Sequence, residues 1–481
     1  MIPIFSIIII GFLLYNIFHG NLKQQFMNVF ALEVILIVAY PQGSLISLGE
    51  KGISTQETLV HFVLFIYSVL LLPRIQTRIP FKMAVMSFVF IICIYMGLIW
   101  ELVDPVTFPV VNDYADWDPI TMGIAMKEPV MVDYKEQALF LIVIITYILD
   151  LFLLKCLYAN KDMVAMLQKV VKTSQIFVYF GVLEFIVKNI INAPEAVYQF
   201  KTLFFGVREH TQISATKRIF DWYSLEGVTT EPSHFVMSLF LISVFSMIFM
   251  IIKRRYDGKI SGFKGGRGYF FLIVLLMIGS GGFSALWYVT MLLVAAMIFK
   301  LQLYKAKLQS LAKYGFATIL VVAFAFLIFY LLYQYGPDSF QYRMDIALDF
   351  LDNMFSGSSN LIYMMAVDST VTRFISIHDV FLDFLQRPVF GIGIGIEEAF
   401  DEVVSMLSYV GILGLLCWIK FIHTKKYKAL TYDKSLFIFI FFIVGIPSGV
   451  THLGLPMISV AYLFLYELSR IYTVDKGEVA I

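Results

Sequence analysis

Lys217-Arg218-Ile219-Phe220-Asp221-Trp222-Tyr223-Ser224-Leu225-Glu226-Gly227 runs on through Glu231-Pro232-Ser233-His234-Phe235, directly against a long apolar stretch. A guanidinium grips phosphate or carboxylate through paired donors, so Arg218, with Lys201, Arg208 and Lys217 nearby, suits the anchoring of a diphosphate. Snorkelling of long side chains at a membrane surface is the alternative use of the same residues. Glu231 is placed to accept a proton. Equally, Pro in a first helical turn beside an acid and a serine is ordinary helix-entry chemistry. A second group comes later. Ser369–Gln386 has Phe374, Ile377, Phe381 and Leu385 at helical spacing, with Arg373, Ser376, Asp379 and Asp383 on the other side. This predicts an amphipathic helix along the membrane surface, ending before Arg387-Pro388. His378 falls at the edge of its apolar face, where packing competes with proton transfer. Asp113, Asp116 and Asp118 lack the glycine and terminal glutamate of a calcium loop, so they are read as part of a solvated lid beside Trp117. Gly391-Ile392-Gly393-Ile394-Gly395 lacks nucleotide-loop spacing and predicts close backbone approach or re-entry into the membrane.

Helices must position these groups. The chain has 481 residues, 59% hydrophobic and 15% charged, with mean hydropathy +0.82; a soluble domain carries about a quarter charged residues. Apolar runs of about 17–25 residues, enough to cross the hydrocarbon as helix, recur along its length. Lipid offers no partner to free backbone groups, and the alternation of a barrel is not visible. The expectation is an all-α polytopic integral membrane protein, one transmembrane domain over 1–481, with about 13 spans (12–14). Their centres fall near residues 10, 36, 65, 92, 147, 182, 243, 273, 291, 323, 411, 441 and 460. The pair near 273 and 291, separated by Gly279-Ser280-Gly281-Gly282, is either two spans or one broken helix. Met1-Ile2-Pro3 has no basic leader, so the first span is expected to be retained. Cys93, Cys156 and Cys417 lie in or at the ends of apolar runs and suggest no disulfide framework.

Lysine and arginine bias sets the orientation. One set of alternate loops holds 25 of the 36 cations, including Lys253-Arg254-Arg255 and Lys425-Lys426, and leaves 11 for the other side. The N-terminus is therefore expected outside and the C-terminus in the cytoplasm. Three long loops then face outward: 104–136, acidic; 193–232, with Arg218 and Glu231; and 335–402, too long for a mere connection. Within the spans, Glu33, Asp150 and Glu184 are buried acids, functional candidates by default.

Three segments together resemble a family. Arg218, Gly227 and Glu231-Pro232-Ser233 stand at a span entrance. Gly279-Ser280-Gly281-Gly282-Phe283-Ser284 makes a small-residue corner. Arg373, then Pro388-Val389-Phe390-Gly391-Ile392-Gly393, precede Gly411-Ile412-Leu413-Gly414. In this order the set is similar to the O-antigen polymerase and O-antigen ligase superfamily of bacterial surface-polysaccharide enzymes, over roughly residues 205–420. The resemblance implies a multi-span (GT-C-like) membrane glycosyltransferase at the outer face of the bacterial cytoplasmic (inner) membrane. Its donor would be an oligosaccharide on undecaprenyl diphosphate, its surroundings membrane lipid, and its companions a chain-length regulator and a flippase. Nucleic acid, metal and cofactor have no place in it. Arg218 and Arg373 would hold the diphosphate, with Arg208, Arg343 and Arg387 as further candidates. Glu231, His378 or Asp401 would take the acceptor proton, Glu231 foremost. The ligases carry a His-Asn pair about a dozen residues before the Gly-Ile-Leu-Gly span; Phe400 and Asp401 stand there instead. That favours a polymerase of O-antigen, capsule or exopolysaccharide type over a ligase acting on lipid A-core. A lipid-linked saccharide flippase or transporter is the rival from another class, although no internal repeat of the transporter kind is visible.

Overall fold

The computed structural model describes residues 2–39, 43–48, 51–75, 81–104, 107–109, 127–129, 134–157, 160–206, 217–219, 222–229, 232–257, 266–280, 285, 288–293, 380–393 and 402–422, with scattered helical positions between 323 and 377. The described chain is mostly helical. Helices α1 (Ile4–Phe18), α2 (Leu22–Ala39), α3 (Gln56–Leu71), α4 (Phe81–Val103), α5 (Tyr134–Leu157) and α6 (Asn160–Phe185) come first. They are followed by α7 (Pro194–Phe205), α8 (Pro232–Asp257), α9 (Gly266–Gly279) and α10 (Glu402–Ile422). Among the described residues, four stretches are long and apolar enough to cross a membrane: Leu22–Ala39, Gln56–Arg74, Ala84–Val103 and Asp162–Ile190. The spans expected near 441 and 460 lie outside the described residues.

Three two-stranded antiparallel ribbons, which hydropathy did not anticipate, occupy the connections: Ser44–Leu48 with Lys51–Thr55, Thr107–Pro109 with Lys127–Pro129, and Lys217–Ile219 with Trp222–Tyr223. Helices α2 and α6 begin well before their apolar centres. Their first turns are polar (Leu22-Lys23-Gln24-Gln25, Asn160-Lys161-Asp162), and a hydropathy window registers only the lipid-compatible part of a helix.

Helix α2 is the hub. It is buried from Phe26 almost continuously to Ala39 and packs on α3, α6 and α8. The first four turns of α8 are buried all round, as in a core helix. Its serines remain satisfied there: Ser243 Oγ donates to Leu239 C=O (2.8 Å), Ser246 Oγ to Ile242 C=O (2.7 Å) and Ser238 Oγ to Ala39 C=O of α2 (3.1 Å). A second apolar cluster joins α4 and α10 through Phe90, Cys93, Ile94, Met406, Tyr409, Val410 and Trp418, with Ile148 and Phe152 of α5.

Helix α10 is broken at Gly411, whose φ of 66° and ψ of −176° are accessible to glycine and little else. An unbroken helix would send Ile412 N–H to Ser408 C=O. Here the turn 388–393 enters the gap. Ile392 N–H donates to Ser408 C=O (2.7 Å), while Ile412 N–H donates to Pro388 C=O (2.8 Å) and Leu413 N–H to Val389 C=O (3.3 Å). The inserted turn replaces the lost helical bonds, which lipid could not do. Close approach requires the glycines. A Cβ on Gly391 (φ +72°) would lie 2.2 Å from Ser408 C=O, and one on Gly411 would lie 2.2 Å from Val389 C=O. On the other side, a Cβ on Gly97 of α4 would stand 2.8 Å from Gly393 N.

Gly391→Ala and Gly411→Ala should each lower stability by about 3 kcal/mol or more, through positive-φ strain and backbone overlap. Thermal unfolding in detergent measures this. The double variant should cost clearly less than the sum, because either change already expels the turn.

Candidate functional site

The segment around Arg218 is built onto the end of α6. There the helix widens into a π turn, Ile186–Ile190, a feature frequent at functional sites. The turn presents Lys188 and Asn189 to residues 222–226. Asn189 brackets Tyr223, accepting from its N–H (2.6 Å) and donating to its C=O (3.2 Å). Lys188 Nζ donates to Ser224 C=O (3.1 Å). Tyr223 pairs in turn with Lys217 across the ribbon whose first strand is Lys217–Ile219, so the backbone of Arg218 is indexed to the π turn. Trp222, about half exposed, meets Phe185 edge to face at 5.2 Å.

Below this lies a buried charge network. Glu184 sits one helical turn before Lys188 and pairs with it at 2.7 Å. The same carboxylate receives the backbone N–H of Glu226 (3.2 Å) and of Gly227 (2.6 Å). Lys201 of α7 donates to Glu226 Oε2 (3.0 Å) and Thr229 C=O (2.7 Å), and Lys188 stands 3.8 Å from Glu226. Two lysines face two glutamates, all four at most 1% exposed. Burial pushes the Glu226 carboxyl up and Glu184 adds to the rise, while Lys201 and Lys188 pull it back.

Gly227 (φ +58°) makes the turn that follows. A Cβ there would lie 2.2 Å from the ring of Phe235, and one on Gly181 of α6 would lie 2.5 Å from the same ring. Phe235 is thus clasped between two glycines at the entrance of α8, which Pro232 opens as expected of helix-entry chemistry.

The other half of the expected site begins with the helical segment 380–386. Val380, Asp383 and Phe384 are buried, while Phe381 and Leu385 are exposed. The predicted apolar face therefore points away from the protein, as suits a helix lying against lipid, and Asp383 turns inward instead of toward water. Arg387, at its end, donates to Glu101 Oε2 of α4 (2.6 Å) and to Asp104 C=O. That clamp fixes the start of the Pro388–Gly393 turn.

Of the residues singled out from sequence, Arg387 is held in this clamp and Arg218 is placed by its backbone. Arg208, Arg343, Arg373, Glu231, His378 and Asp401 lie outside the described residues. The two halves belong to different apolar clusters: Leu225, Val228 and Phe235 to the one around α2, and Phe390, Tyr409 and Val410 to the one between α4 and α10. Sequence reasoning passed over Lys188 and Glu101. The four-residue spacing of Glu184 and Lys188 was a usable signal; the partnership of Arg387 with Glu101, 286 residues away, had none.

No protein-family model matches the chain, and no curated protein matches it.

Lys201→Met should cost about 3–5 kcal/mol by leaving a buried carboxylate uncompensated. Lys201→Met with Glu226→Leu should cost markedly less. A double-mutant cycle on thermal unfolding measures the coupling; additive effects would dissolve the network as described.

Proposed function

We propose that the protein is a membrane glycosyltransferase that polymerises a bacterial surface polysaccharide. In this reading it acts at the outer face of the cytoplasmic membrane, with about 13 spans, the N-terminus outside and the C-terminus inside. It moves a growing glycan from undecaprenyl diphosphate to the non-reducing end of a lipid-linked repeat unit. The observation that carries the proposal is the interlock of Pro388–Gly393 with Gly411–Gly414. Two motifs that support the family resemblance by their order alone are also joined by backbone hydrogen bonds, in a close approach for which Gly391 and Gly411 leave the room.

The chemistry asks little of the protein beyond placement and charge. Diphosphate is a good leaving group, so the transition state gains most from cations at the departing oxygens and an oriented acceptor hydroxyl. Arg218 and Arg373 supply the cations. Arg387, braced by Glu101, sets the Pro388–Gly393 turn. The acceptor oxygen bonds to the anomeric carbon as its bond to diphosphate breaks. The hydroxyl proton passes to Glu231, or to His378 or Asp401, and undecaprenyl diphosphate departs. The ribbon carrying Arg218, braced by Asn189 and the charge network, is the rigid mount such an anchor needs.

The ligase alternative uses the same machinery with lipid A-core as acceptor. The flippase alternative is favoured by a separate feature, the buried acids of α2 and α5. Purified protein in liposomes with the lipid-linked repeat separates these readings: new glycosidic bonds support a polymerase, and lipid movement without bond formation supports a flippase. Arg218→Ala should abolish polymer ladders while single-unit product persists, and Arg218→Lys should retain part of the activity, since it keeps the charge but loses the fork. Full ladders from a stably expressed Arg218→Ala protein would remove Arg218 from the site.

A further inference from the structure

A second set of ionisable groups lies among α2, α3 and α5, outside the site above. Glu57, His61 and Ser68 share one face of α3, at steps of four and then seven residues. At 1.5 Å per residue they extend about 16 Å inward from the end of the helix that begins at Gln56. His61 Nδ1 is 2.6 Å from Glu33 Oε1 of α2. Ser68 Oγ donates to Asp150 Oδ1 of α5 at 2.6 Å. Glu33 is 1% exposed, Asp150 2%, His61 7% and Ser68 0%. Glu57, at the mouth, is half-buried. Glu33 Oε2 and Asp150 Oδ2 are buried without a hydrogen-bond partner among the described residues.

The charges do not balance. The ionisable groups acting on His61 are Glu33 from α2, Glu57 from its own helix and Asp150 from α5. Helices α6 and α8 also pack on α2, and the hydrogen bonds they make to it join Lys169 to Asn28 and Ser238 to Ala39. Among the described residues, the ring of His61 is the one group paired with these carboxyls that is able to carry positive charge, beside two deeply buried acids. The network under Gly227, by contrast, matches two lysines to two glutamates. An isolated carboxylate in hydrocarbon is too costly to persist as an anion.

We infer that Glu33, His61 and Asp150 form a proton-binding site within the helix bundle, exchanging with water through Glu57 at the Gln56 end of α3. One carboxyl of the pair carries a proton at neutral pH, and the orphaned oxygens are where it resides. The site needs no glycan and is independent of the glycosyltransferase reading.

Infrared difference spectra of the full-length protein in bilayers, recorded between neutral and alkaline pH, test this. The expected result is a protonated-carboxyl band at neutral pH that vanishes on alkalinisation and is lost or weakened in Glu33→Gln or Asp150→Asn. Absence of the band, or a band unchanged in both variants, overturns the inference. If a variant fails to fold, the wild-type protein is treated with dicyclohexylcarbodiimide, which adds to protonated carboxyls in apolar surroundings, and the adducts are mapped by mass spectrometry. Adducts on Glu33 or Asp150 that fade as pH rises sustain the site; adducts on neither overturn it.

Discussion

A peptide group that leaves the helical ladder inside hydrocarbon has no water to bond, and much of this architecture follows from that constraint. Where α10 breaks at Gly411, residues 388–392 enter and carry the hydrogen bonds across the gap. Where α6 ends, the π turn supplies Lys188 and Asn189 to the carbonyls of Ser224 and Tyr223, while Glu184 receives the N–H groups of Glu226 and Gly227. In the middle of α8, serines return their hydroxyls to carbonyls one turn back. At Gly411 and at the end of α6 the substitute bonds also tie separate segments of the chain together.

The same constraint separates two kinds of buried charge. The Glu184, Lys188, Lys201 and Glu226 group is neutral as a set, and its bonds to backbone make it a brace for the segment carrying Arg218. Such a set adds little net stability compared with an apolar core, but it fixes one geometry. The Glu33, His61 and Asp150 group has an excess of acid and two orphaned oxygens. A brace has no use for that imbalance, whereas a site that gains and loses a proton is defined by it.

The segments that carry the family resemblance divide in a similar way. Gly391, Gly393, Gly411 and Gly414 serve backbone geometry, since an added Cβ at Gly391, Gly411 or Gly414 would stand within 2.4 Å of neighbouring atoms. Glycines of this kind speak for an architecture, and architecture alone does not select a reaction. The proposed glycosyl transfer adds to that interlock the residues able to hold a diphosphate and take a proton, with Arg218 set on its braced ribbon as the foremost of them.

Much of the helical layout was legible in the sequence because bilayer thickness dictates the length of an apolar run. The positions of α3, α4, α5, α8, α9 and α10 follow the run centres closely. Polar first turns, as in α2 and α6, leave no trace in hydropathy, and neither do the ribbons in the connections. Within the site, the four-residue step from Glu184 to Lys188 and the helix-entry role of Pro232 belong to local geometry and could be read directly. The glycine run at 391–395 announced close approach but not what it approaches. Lys201 looked like an anion-binding cation of the outer loop until the fold consumed it with Glu226, and Asp383 looked solvated until its helix turned its apolar side outward. Apolar run length and residue type are local properties, and they settle which stretches are helical and which positions can carry charge. Which charges cancel and which are left over depends on packing, because partners such as Glu101 and Arg387 meet across nearly three hundred residues of chain, with no local pattern to announce them.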